Sequence, residues 1–302
     1  MIRSLFALLL TSTTALAAPE ACTIITRNFE LDRATLGTPQ LSALLFSAAD
    51  NDCPDIVRPL IEAGGSLATR DRTGGTALHH AARAGRTGMI RVLLAQGADI
   101  NQRDINGATP LSIAIETSHQ AAARALIDAG ADVTLPGHSG VTPLAAAAYK
   151  GSVDVLDTLL RRGADPKAPD STGKPAILYA AARGFTKIVT RLLDAGSDVN
   201  QVYANGLTVL SWAAGYAEDV PASEGAGLVR LLLERGARVN TADDRGMTPL
   251  MIAASMDHAE VAELLLARGA DASLKDKDGR SAADLAPSAS LRQRLAAQSP
   301  AR

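Results

Sequence analysis

Glycine recurs at a fixed stride through most of this chain: Gly74, Gly107, Gly140, Gly173 and Gly206 stand 33 residues apart. Gly246 follows after 40, so one unit carries about seven extra residues. A period of this length predicts an array of like units, because a segment so short cannot bury an apolar face alone and must stack on its neighbours. The residues around each glycine return with it. One unit reads Asp71-Arg72-Thr73-Gly74-Gly75-Thr76-Ala77-Leu78-His79, then Ala81-Ala82, Gly85, Leu93-Leu94 and Gly97-Ala98-Asp99. Later units open Asp104-Ile105-Asn106-Gly107-Ala108-Thr109-Pro110-Leu111 and Asp243-Asp244-Arg245-Gly246-Met247-Thr248-Pro249-Leu250.

Each recurring residue has a physical task. The turn glycine permits positive φ. Thr109, Thr142 and Thr248 are placed to cap helix N-termini, with Pro110, Pro143 and Pro249 at the first helical position, where no donor is lost. Hydrophobic residues make up 47% of the chain but aromatics only 3%, so the core is built from Ala and Leu. Paired alanines let neighbouring first helices approach closely, and the Leu-Leu pair of the second helix fills the layer between units. Gly97, Gly130, Gly163, Gly196, Gly236 and Gly269 end the second helices in a left-handed conformation.

This pattern resembles the ankyrin repeat, with its T-P-L-H, A-A, G and L-L-x-x-G-A signature, over residues 41 to 297. The resemblance implies an all-α repeat solenoid of about eight units including caps, each a helix-turn-helix plus a β-hairpin loop. The units fall near 41–70, 71–103, 104–136, 137–169, 170–202, 203–242, 243–275 and 276–297, with a tail at 298–302. Both ends are atypical, as solvated caps require. The first unit lacks the turn glycine and Thr-Pro; the last closes on a polar helix around Leu291-Arg292-Gln293-Arg294. His79 takes the family's structural histidine position. The implied role is that of a non-catalytic module binding another protein, as a monomer and with no cofactor.

The first 17 residues read as a signal peptide: Arg3 for the n-region, Leu5 to Leu10 for the h-region, and Ala15-Leu16-Ala17 for the cleavage site. Pro19-Glu20-Ala21 before Cys22 is unlike a lipobox. Export to the periplasm, or secretion, is the expectation, with residues 18–40 as an N-terminal extension of uncertain structure. Cys22 and Cys53 are the only cysteines, an even count that in an exported chain permits one disulfide, with two free thiols as the alternative. A bridge would pin the extension to the first unit.

A formal net charge of −2 provides no basic field for nucleic acid. No stretch after the N-terminus has the length and apolarity to span a membrane. Catalytic motifs fail on inspection. Gly137-His138-Ser139-Gly140 lacks the spacing of a nucleophile elbow, and Ser171-Thr172-Gly173-Lys174 is followed by Pro175 where a phosphate loop needs Ser or Thr. His79 and His80 are adjacent and point about a quarter-turn apart on a helix, so they do not converge on a metal.

In ankyrin folds, partners bind the hairpin tips and the exposed side of the first helices. Register aligns those positions as rows, among them His80, Ile113, Ala146, Tyr179, Trp212 and Ile252. All four tyrosines and the single tryptophan lie between residues 149 and 216. Tyr149, Lys150, Tyr179, Arg183, Tyr203, Trp212 and Tyr216 therefore form a candidate protein-binding set in units four to six, since aromatics with polar handles beside cations have the composition of an interface hot spot. The alternative is that these rings pack as core. Departures from the repeat gather in the same place: Tyr203 stands for the hairpin Asp, and the insertion at Ala217 to Gly227 reads as a mobile, acidic, Gly-rich loop. The expected role is a periplasmic binding protein that supports or inhibits an envelope enzyme. A secreted effector acting on a host protein, or a hydrolase or transferase with an unrecognised site, are the alternatives.

Overall fold

In the computed structural model, which describes residues 18–215 and 220–298, short helices alternate in pairs along the chain. A leading helix α1 (Ala18–Asp32) precedes the first pair, α2 (Thr38–Asn51) with α3 (Val57–Glu62). Three interior pairs follow: α4 (Ala77–Arg83) with α5 (Thr87–Ala95), α6 (Pro110–Glu116) with α7 (Gln120–Asp128), and α8 (Pro143–Tyr149) with α9 (Val153–Arg161). The next are α10 (Ala176–Ala182) with α11 (Thr186–Asp194), α12 (Val209–Ala214) with α13 (Ala222–Glu234), and α14 (Pro249–Ser255) with α15 (Ala259–Ala267). A closing pair, α16 (Ala282–Leu285) and α17 (Ala289–Ala297), makes eight among the described residues.

The recurring residues act as their chemistry requires. The hydroxyls of Thr109, Thr142 and Thr248 accept the backbone N–H three residues on, with proline at the first helical position. Leu93, Leu126, Leu159, Leu192, Leu232 and Leu265 are fully buried, one per unit, and so are the alanine pairs Ala147-Ala148 and Ala180-Ala181 between first helices. Burying a leucine is worth about 1.5–3 kcal/mol, so this repeated layer dominates stability. His79 is fully buried: the Thr76 N–H donates to its Nδ1 at 3.1 Å, and its Nε2 faces the Ala108 carbonyl of the next unit at 3.3 Å.

The loops between units are the expected short hairpin turns, and among the described residues only one, Pro169 to Pro175, carries an isolated bridge. Each turn is closed by two backbone bonds, as Asp71 N–H donates to Gly75 C=O at 2.8 Å and Gly74 N–H to Asp71 C=O at 3.0 Å. The turn carboxylate braces them, as Asp71 Oδ1 accepts the N–H groups of Thr73 and Gly75. One expectation is corrected. The insertion is not a loop throughout. Residues 216–219 lie outside the described set, Val220 is buried, and from Ala222 the chain is already the lengthened helix α13. Gly225 and Ala226 are buried on that added turn, so small residues serve close packing there rather than mobility.

Residues 1–17, read above as a signal peptide, lie outside the described residues. Residues 18–40, read as an extension of uncertain structure, form α1 and its link to α2, with Ile25 and Phe29 buried in the core. The Cys22 and Cys53 sulfurs stand 2.02 Å apart as a disulfide, their Cα atoms 5.4 Å apart.

His80 knits the first two units together. Its Nδ1 lies 3.0 Å from Asp50 and its Nε2 3.1 Å from Asp71, while Phe46 stacks on the ring at 4.9 Å. With a carboxylate at each nitrogen the ring is held as imidazolium. The Asp50 hydrogen bond raises its pKa, against the opposing effect of burial. A raised folded-state pKa stabilises fully below the unfolded value of about 6.5 and loses that contribution as pH climbs through the folded value. The urea midpoint of the protein should therefore fall as pH rises above about 6.5, and His80→Phe should flatten that slope. An unchanged slope in the variant refutes the assignment.

Candidate functional site

The first helices α8, α10 and α12 pack side by side, so residues in register across them share one face. Tyr149 ends α8 and is half exposed, with Lys150 exposed beside it. Tyr179 on α10 meets Tyr149 edge to face, ring centroids 6.3 Å apart at 90°. Arg183, the C-cap of α10, holds its guanidinium 5.7 Å from the Tyr149 ring and 5.8 Å from Phe185. Thus Tyr149, Tyr179 and Arg183 form one continuous cluster.

Tyr179 is partly buried, and its hydroxyl donates to Asp170 Oδ2 in the turn of the same unit. Burial pushes Asp170 upward, but the bonds from Tyr179, Lys174 and Thr172 outweigh it and hold the carboxyl below its ordinary range. The Tyr179 phenol is raised to about 12 by burial and by that carboxylate. Tyr179 is therefore part anchor and part surface, between the two readings weighed for the rings.

A pairing rule emerges from the register. The turn Asp and the residue nine positions on face one another: Asp71 with His80, and Asp170 with Tyr179. In unit six the corresponding residues are Tyr203 and Trp212. Tyr203 has no carboxylate, and the Trp212 indole Nε1–H is buried with no hydrogen-bond acceptor among the described residues. The turn itself changes with the loss of Asp: Asn205 adopts φ 63° ahead of Gly206 at 75°, whereas the Asp turns have only the glycine left-handed.

Lys174 completes this corner, its ammonium 5.5 Å from the centroid of the Trp212 ring. Sequence reading missed it, because the likeness of Ser171 to Lys174 to a phosphate loop drew attention to the glycine. Its register neighbours offered the signal, since Gly75, Ala108, Val141, Leu207 and Met247 occupy the same position without charge. Tyr203 is half-buried at the edge of a surface cleft of about 490 Å³, with Lys167, Pro169, Pro175 and Val202. Its phenol is raised to about 12, chiefly by burial. Tyr216 lies outside the described residues.

On the opposite side of the array, ion pairs link successive second helices. Between successive second helices Arg162 meets Asp128 at 3.0 Å, Arg191 meets Asp157 at 3.3 Å and Arg235 meets Asp194 at 2.9 Å. By contrast, Lys150 and Lys174 make no ion pair among the described residues. No helix there is long and apolar enough to cross a membrane.

Comparison with known proteins agrees with the repeat architecture. The family model described as Ankyrin repeats (3 copies) matches residues 44–137, 103–170, 144–221 and 177–276. The crystal structure of the human ASB11 ankyrin repeat domain is similar with a TM-score of 0.67 and 32% sequence identity, covering 76% of this chain and 100% of that one. A Caenorhabditis elegans relative, the Ankyrin repeat and LEM domain-containing protein 1 homolog, is 49% identical over 63 residues. That match covers 21% of this chain and only 9% of the relative's length.

Proposed function

The chain belongs to the ankyrin-repeat family, and from that premise we propose that it is an exported, non-catalytic module that grips a partner protein on the first-helix face of units four to six. The observation that carries this is the aromatic cluster on the first-helix side, where Tyr149 and Tyr179 meet edge to face and Trp212 follows in register, with Lys150 and Lys174 beside them. Large amphipathic rings beside cations supply most of the energy in protein interfaces, and half-exposed Tyr149 has contact area to give.

The n-region, short h-region and A-x-A of residues 1–17 support export, with the periplasm as the proposed destination. A periplasmic partner would be an envelope protein, which the module scaffolds or inhibits.

The test is affinity capture from an envelope fraction with the mature protein and with a Tyr149→Ala, Trp212→Ala variant. Loss of two hot-spot rings should weaken capture of a specific protein by at least tenfold, with helicity unchanged. A partner held equally well by the variant overturns the placement.

A further inference from the structure

We infer that the corner made by Trp212 and Lys174 is a seat for an acidic side chain, so that the partner segment docking here carries Asp or Glu. This deepens, and rests on, the binding face proposed above. In units two and five the donor nine residues after the turn Asp is satisfied by that Asp. In unit six the chain keeps the donor, the Trp212 N–H, and replaces the acceptor with Tyr203. A buried N–H without an acceptor is unfavourable, and an incoming oxygen would recover that cost.

The neighbouring charge selects the kind of oxygen. Lys174 places an ammonium 5.5 Å from the same ring, without a carboxylate of its own. A carboxylate reaching this corner would accept from the indole N–H and lie against the ammonium; a neutral carbonyl would gain only the first. Asp170, in the turn that carries Lys174, is already occupied by the Tyr179 hydroxyl and by the backbone N–H groups of Thr172 and Lys174. Because the N–H is buried in the free chain, docking requires a neighbouring side chain to move aside. Beyond Lys174, the exposed Lys150 extends positive charge along the face, which suits an extended acidic segment.

Trp212 is the only tryptophan, so its fluorescence reports this site alone. The mature protein is titrated with an acetylated, amidated hexaglutamate peptide and with its hexaglutamine counterpart. A saturable change in emission is expected with the glutamate peptide, at least tenfold tighter than with glutamine and weakened by added salt. Lys174→Ala should lose at least fivefold in affinity while keeping the helical spectrum. Tyr203→Asp restores an internal acceptor for the indole; it should abolish the response and raise the melting temperature. Equal responses to the two peptides, no response to either, or unchanged affinity in Lys174→Ala would overturn the seat. Capture of a partner that is lost in Tyr149→Ala, Trp212→Ala would still uphold the face itself, so the two readings fail separately.

Discussion

Gly206→Val should cost the array about 2–5 kcal/mol, with the loss centred on the joint between units six and seven. Two effects add. Gly206 sits at φ 75°, where an L-residue loses about 1–2 kcal/mol and a β-branched one more. A Cβ there would also stand 2.7 Å from the Asp244 backbone nitrogen and 3.0 Å from the Asp243 carbonyl carbon. Those are main-chain atoms of the next turn, fixed by the 2.9 Å bond from Asp244 N–H to Asn205 C=O, so no rotamer change relieves the contact. Urea unfolding followed by circular dichroism and by Trp212 emission measures it. The fluorescence midpoint should drop first, because the tryptophan lies in the damaged unit. Coincident, unshifted midpoints would show that the turn stacking has little energetic weight.

Replacing both cysteines, Cys22→Ser with Cys53→Ser, should remove about 3–4 kcal/mol from the N-terminal end. The bridge closes a sequence separation of 31 residues, and the entropy withheld from an unfolded loop of that size sets the figure. The loss is local, because α1 contacts α2 and covers the end of the stack through Ile25 and Phe29. Amide exchange should therefore rise in α1 to α3 and stay unchanged beyond α6. Reductant acting on the unaltered protein should reproduce the effect. If thiol titration of exported protein finds both cysteines free and reductant changes nothing, the bridge is refuted.

The comparison of text and structure divides along physical lines. Leu159 and Ala147 were legible because burial repeats with the register: a residue seen once in every unit can only serve what every unit shares. The corner at Trp212 was half legible. The sequence displays Tyr203 in place of Asp and tryptophan nine residues later, but it does not reveal that these positions face each other. That required the contacts of Asp71 with His80 and Asp170 with Tyr179. Lys174 reaches a ring in the following unit, 38 residues along the chain, a contact invisible to any pattern read within one unit. The insertion misled through composition. Pro221, Ser223, Gly225 and Gly227 suggest a loop, yet Ala226, Leu228 and Val229 continue the buried stripe of α13, and burial outweighed propensity.

Neighbour-only contact and a covalent tie at one end give the molecule a mechanical polarity. Pulled from its two ends, the array cannot release the stretch between Cys22 and Cys53, which withholds roughly 100 Å of contour length. The opposite end, α16 and α17, has no such tether and rests on α14 and on the Arg294–Glu263 pair. Extension should therefore begin there and travel toward the N-terminus unit by unit, like a zip opening from its free end. The face at units four to six lies inside that path, so a partner seated on it would act as a clasp. The load at which the last units give way would then measure the strength of the grip.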